Sequence, residues 1–293
     1  MKTELEKRTI RNVLIFWVGM IALPWLGVAL DLGKGGDPHD QQNSLGWLLF
    51  LVSPLLMTLL LRLFGKDGWR DFGLAPRLRQ SAGWYLFALL FHPLTMSLFI
   101  LAGVAFGVTS LPGLKAGWLG VFGQALLVAI GLNFGKNIFE EFAWRGYLTP
   151  KINAIARQPL IGHAMVGLIW FSWHLVYYTR LLPTESLQKA TGLTLLPFLG
   201  LTLLGIFPTA ILYGELRLLS GTVWTAVLIH TLANAFFDTL IAQQIFSTPN
   251  PTASLLISPG LFSLVTLLVN LAVGLWLHRQ RLAREASLGG SHA

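Results

Sequence analysis

The sequence predicts an all-α integral membrane protein, a bundle of eight transmembrane helices with both termini in the cytoplasm. Three observations carry that prediction. Of the 293 residues, 54% are hydrophobic and only 12% charged, where an ordinary soluble domain has about 25% charged; the mean hydropathy is +0.63. Apolar runs of about 20 residues, the length that crosses a hydrocarbon core ~30 Å thick, recur along the chain. The basic residues gather between alternate runs, as the positive-inside rule requires.

The runs cover about 12–31, 45–64, 82–106, 117–148, 159–179, 195–217, 222–245 and 260–278. The first follows a polar start, Met1 to Arg8, and is longer than the apolar region of a cleaved signal, so it reads as a retained span. Between the second and third runs, residues 65–80 mix Trp69 and Phe72 with basic side chains. That segment reads equally as one lying on the cytoplasmic interface and as a polar loop. The third run contains His92-Pro93, read as a kink whose imidazole bonds a freed carbonyl. The fourth is too long for one perpendicular crossing, so its end, with Glu140, Glu141 and Arg145, is expected to tilt or to project toward the cytoplasm. Pro150 and Pro159 punctuate the turn that follows.

His163, near the start of the fifth run, reads as interfacial. Trp25, Trp47 and the pair Tyr177-Tyr178 read as aromatic belts. Gly19, Gly27, Gly103 and Gly107 read as points of close helix approach. No internal repeat stands out, so residues 1–285 read as one polytopic domain, followed by a small polar tail at 286–293 that is expected to be disordered.

Seventeen of the 21 Lys and Arg fall on one side of the predicted bundle: Lys2 to Arg11, Arg62 to Arg79, Lys136 to Arg157, Arg217, and Arg279 to Arg284. Lys34, Lys115, Arg180 and Lys189 lie on the other. A net charge of +8 scattered in this way marks topology and does not call for a nucleic-acid partner. The absence of cysteine removes disulfides, thiolate ligands and a cysteine nucleophile.

Three polar patterns interrupt the apolar runs: Glu140-Glu141-Phe-Ala-Trp-Arg145, Trp170-Phe-Ser-Trp-His174 and His230-Thr-Leu-Ala-Asn234. Ionisable groups in lipid are costly and usually face one another or a wet cavity. On a helix, Glu141 meets Arg145 four residues on. Glu140 is turned about 100° away, beside Lys136, Asn137 and Trp144, and is left to handle a proton as a general base. His174 sits among Trp170, Phe171, Trp173, Tyr177 and Tyr178. His230 and Asn234 share a face, which Asp238 continues one turn on, and their N–H groups could donate to a tetrahedral oxyanion. Each pattern alone has a plain structural reading: a Glu–Arg clasp at a helix end, a packed histidine bonded to a carbonyl, an interhelical polar clasp worth ~0.6–2 kcal/mol. All three in one small bundle point to a hydrolytic site within a membrane.

In this order, Glu-Glu-x-x-x-Arg, aromatic-x-x-x-His and His-x-x-x-Asn on successive spans resemble the CPBP family. It covers the type II CAAX prenyl endopeptidases and the bacterial bacteriocin-processing and self-immunity membrane proteins. The resemblance covers about residues 117–240. Ser220-Gly221-Thr222 resembles the family's short turn before its His-x-x-x-Asn helix, and Trp170 stands where many members carry Phe, an exchange expected to matter little.

The resemblance implies an endopeptidase of the cell membrane. Its substrate would be a membrane-associated peptide or protein, prenylated or not, whose scissile bond reaches a cytoplasm-facing cavity. Glu140 and His174 would hold and activate water, His230 and Asn234 would stabilise the oxyanion, and Glu141 with Arg145 would support the helix end. No cofactor is favoured, because a glutamate-activated water needs none and His-Glu-x-x-His is absent. The alternative is zinc on Glu140, His174 and His230, with Asp238 as a further ligand or a supporting partner. Two other functions compete: a non-catalytic scaffold or self-immunity protein, and a transporter. The second lacks the repeated halves and broken helices that transporters often show.

Overall fold

The structure, a computed structural model, describes residues 3–260 and 263–289. Among them it is all-helical, apart from an isolated bridge between Ser110 and Ser247. The α-helices are α1 (Glu4–Gly33), α2 (Leu45–Leu63), α3 (Ala82–Ala105), α4 (Trp118–Glu141), α5 (Thr149–Ile155), α6 (Pro159–Val176), α7 (Thr184–Thr191), α8 (Leu195–Ser220), α9 (Trp224–Ala242), α10 (Pro251–Ile257) and α11 (Leu264–Gly289). Two stretches widen into π-helix, Phe142–Leu148 after α4 and Tyr177–Leu181 after α6.

Seven segments among the described residues are long and apolar enough to cross a membrane, and they correspond to the first seven predicted runs. The long fourth run becomes Trp118–Ile155, in which α4, a π turn and α5 follow without a break. The eighth run, 260–278, includes residues 261–262, which lie outside the described residues. Its helix, α11, is not among the seven, because its apolar part ends at Leu277 and His278-Arg279-Gln280-Arg281 follows. Helix α11 continues through Gly289; the end of the expected disordered tail, residues 290–293, lies outside the described residues.

The chain divides into two compact units, Met1–Gly73 with Phe139–Ala210 and Leu74–Ile138 with Ile211–Ala293. The division falls within α4 and within α8.

In the first unit α1 packs along α2 and α6. A capping box opens α1: Glu6 N–H donates to Thr3 Oγ1 (3.2 Å), and Thr3 N–H donates to Glu6 Oε2 (2.7 Å). Gly27 meets Gly46 so closely that a Cβ on it would lie 2.8 Å from the Gly46 Cα, as expected of a close helix contact. Asp31, at the end of α1, accepts from Ser44 Oγ and from the Leu45 and Gly46 amides (2.7–3.0 Å), satisfying the start of α2.

Residues 64–73 include the first part of the segment, 65–80, whose composition left two readings open. They form turns and fold onto the π turn that follows α4. Phe72 is fully buried, while Trp69 stays exposed. Arg62 pairs with Asp71 and donates to the Gly146 carbonyl (2.8 Å). Tyr147 Oη donates to Asp67 Oδ2 (2.8 Å), and Lys151 Nζ lies 3.1 Å from Asp71 Oδ2. A Cβ on Gly146 would lie 2.8–3.1 Å from the Phe72 ring. Gly146→Ala is therefore expected to cost about 1–3 kcal/mol, read as a lower melting temperature of the detergent-solubilised protein. Gly135→Ala is the control: nothing lies within 4 Å of its added methyl, and alanine is the better helix former.

Two sequence expectations need correction in this unit. His163 is fully buried, not interfacial, because α6 turns that side into the core. Arg62 and Arg145, counted as topology markers, are buried as well. So is Arg217 in the second unit. Such residues take protein partners in place of lipid headgroups, and the basic bias survives without them.

In the second unit α3 packs on α9, and α10 on α11. Met96, Ile100, Leu240 and Ile245 form a core flanked by Trp118, Phe122 and Phe236. His92 does not bond a carbonyl freed by Pro93, as the sequence suggested. It is buried, and its Nε2 meets the Tyr213 hydroxyl at 2.9 Å. Gly221 ends α8 with φ +68, a left-handed conformation open to glycine at little cost. Ser220 Oγ then meets Thr225 Oγ1 at 2.8 Å, tying the turn to the start of α9. Glu215, fully buried, binds Arg281 Nε (2.6 Å) and His278 Nδ1 (2.7 Å), which fastens α11 to α8.

Candidate active site

The first unit holds the glutamate pair and His174. Glu140 lies in the last turn of α4 and Glu141 ends it; the chain then widens into the π turn, a distortion often found at functional sites. Glu141 and Arg145 are both 0% exposed, and Arg145 NH1 donates to Glu141 Oε1 at 2.9 Å, the pairing that their spacing predicts. Glu140 is also buried, but its partners differ. Its Oε2 accepts from Trp170 Nε1 (3.2 Å) and, at the long limit of a hydrogen bond, from Trp144 Nε1 (3.5 Å).

Trp170 organises this cluster. Its indole N–H reaches Glu140, and the Arg145 guanidinium carbon lies 4.4 Å from its ring centre, a cation–π distance. Its backbone carbonyl is 3.0 Å from His174 Nδ1. A carbonyl can only accept, so Nδ1 carries the proton and Nε2 is the acceptor nitrogen of the neutral ring. Tyr178 stacks on the His174 ring (5.6 Å, 17°). Tyr177 stacks on Phe50 (5.3 Å), which stacks on Trp173 (4.0 Å). The two tyrosines thus wall the histidine, beyond the aromatic-belt role expected of them.

The sequence reading treated Trp170 as a neutral replacement for phenylalanine. The structure corrects that, since a phenyl ring has no N–H to give Glu140. Trp144 and Tyr178 were likewise seen only as neighbours. The available signal was chemical: a buried tryptophan usually finds an acceptor for its N–H, and Glu140 lies in the same apolar environment.

The second unit holds the α9 residues. His230 is buried, with its ring 5.6 Å from that of Tyr213. Asn234 is half-buried and donates through Nδ2 to Asn137 Oδ1 on α4 (3.3 Å). Asp238 is exposed and accepts from Asn133 Nδ2 (3.3 Å). Successive turns of α9 thus bond successive turns of α4, at 234 with 137 and at 238 with 133. Among the described residues, no three His, Asp or Glu side chains come together as a metal-holding group.

These features define a multi-pass membrane protein with ionisable and carboxamide side chains buried among its apolar helices. Residues 122–236 match the family described as type II CAAX prenyl endopeptidase Rce1-like. The resemblance to the CPBP family is thereby borne out, and the family matched is one of proteases. The matched stretch contains all three motifs and ends just before Asp238. No curated protein matches the chain.

Proposed function

We propose that the protein is an intramembrane endopeptidase that hydrolyses a peptide bond of a membrane-associated peptide or protein. The observation that carries this reading is the Glu140 carboxylate, buried and held by an indole N–H of Trp170. Glu140 takes a proton from the attacking water, which His174 Nε2 helps to orient. The oxygen adds to the scissile carbonyl, and the resulting oxyanion accepts hydrogen bonds from His230 and Asn234. Glu140 then returns the proton to the leaving amine, so the step balances without a redox partner. Glu141 and Arg145 hold the helix end, and Asp238, bonded to Asn133, supports α9. The reaction takes place in a cavity facing the cytoplasm of the cell membrane, with α11 as an eighth span and both termini inside. Glutamate and histidine activate the water without a metal in this scheme; zinc on Glu140, His174 and His230 is the competing route.

Asn234→Ala is expected to lower kcat by about 10²- to 10³-fold, the usual loss of an oxyanion donor, with KM nearly unchanged. Steady-state kinetics on a cleaved peptide checks this. The function itself is tested by comparing newly formed protein N-termini in cells carrying the wild type, Glu140→Gln or no chain. Termini found only with the wild type establish proteolysis, name the substrate and show whether it is prenylated. Identical profiles for wild type and Glu140→Gln, at equal expression, would put the scaffold or self-immunity reading first.

A further inference from the structure

Asn137 belongs to none of the three motifs, yet it is a carboxamide with 0% exposure in an apolar run. Its Oδ1 accepts from Asn234 Nδ2 (3.3 Å), and its own Nδ2 is buried with no hydrogen-bond partner among the described residues. A buried, unsatisfied donor costs roughly 1–3 kcal/mol. As packing alone, leucine would serve this position better. The half-satisfied amide therefore points to a role other than stability.

We infer that Asn137 is a positioning residue for Asn234; the inference rests on the peptidase reading above. The two ends of an asparagine side chain have nearly the same shape but opposite polarity, and the torsion that exchanges them is broad. An oxyanion site needs the nitrogen end. In the arrangement found, the Asn137 oxygen accepts from Asn234, whose nitrogen therefore faces α4. One N–H of Asn234 is used in that bond, and the second is left to donate to the developing anion. Without the acceptor the amide is free to turn its oxygen toward the anion, which repels it. Preorganisation of this kind is what makes an oxyanion donor effective. The bond from Asn133 to Asp238 one turn away holds the same faces of α4 and α9 in register.

The test is a double-mutant cycle on the full chain in detergent, using the peptide found by the N-terminus comparison. Asn137→Leu is expected to lower kcat about 10- to 100-fold, less than outright loss of a donor. KM should stay within about twofold, and the melting temperature should not fall. Adding Asn137→Leu to Asn234→Ala should cause no further loss, because residues that act as one unit are non-additive. Asn137→Asp, which keeps the acceptor oxygen, should recover most of the activity.

Unchanged kcat in Asn137→Leu, or losses that multiply in the double variant, would overturn the inference. So would Asn137→Asp as inactive as Asn137→Leu, or a fall in kcat that follows a fall in melting temperature. Glu140→Gln, assayed alongside, separates the two levels. If it cleaves like the wild type, the glutamate-base step of the peptidase reading has failed; if it is inactive while Asn137→Leu is fully active, only the positioning role has.

Discussion

Glu140→Gln is expected to lower kcat by about 10²- to 10⁴-fold, the contribution of a well-placed general base, and to leave the fold intact. The exchange is isosteric, and the carboxamide oxygen can still accept from Trp170 Nε1, which the carboxylate does at 3.2 Å. What is lost is the ability to take a proton from water. The melting temperature of the purified variant should therefore match the wild type while turnover falls. Such a pair of results separates chemistry from folding, because a structural carboxylate would lose both. A chelator arm completes the test. Turnover unchanged by chelation supports the metal-free route. Turnover lost on chelation and restored by zinc would reassign Glu140, with His174 and His230, as ligands.

The largest expected effect on stability comes from Glu141. Glu141→Leu leaves the Arg145 guanidinium, itself 0% exposed, without the carboxylate that it bonds at 2.9 Å. Removing one partner of a buried pair costs about 3–5 kcal/mol. The double variant Glu141→Leu/Arg145→Met removes both charges and should recover most of that loss. Thermal melting in detergent checks the order: wild type and double variant close together, single variant well below. If the single variant melts with the wild type, the buried pair has no structural role. Arg145 also lies over Trp170, which bonds Glu140. The single variant is therefore expected to lose turnover as well, even at temperatures where it remains folded.

Much of the fold was legible because a membrane span is a local property. A run of apolar side chains and the charges that end it lie next to one another in the chain, and hydrocarbon rewards only a helix there. The first seven runs and the Glu141–Arg145 pair are of this kind; both ends of that pair lie on one helical turn. The length of the fourth run already signalled something other than a simple crossing. That it would widen into a π turn covered by residues 64–73 depends on Phe72 and Arg62, which lie more than seventy residues earlier. The eighth run does not stand among the seven for a local reason also, since a polar stretch, His278 to Arg281, begins within the turn that ends it.

What the sequence determined by itself was the membrane class, the helical runs and the set of polar side chains that apolar surroundings force into partnership. It could not say which partners they take. His92 meets Tyr213 instead of its own backbone, Trp170 spends its N–H on Glu140, and Asn137 meets Asn234. Each of these is a hydrogen bond between distant positions, with a donor and an acceptor that must come within about 3 Å. Hydropathy sums over neighbours in the chain, whereas a hydrogen bond depends on where two helices bring single atoms, and only the tertiary structure decides that.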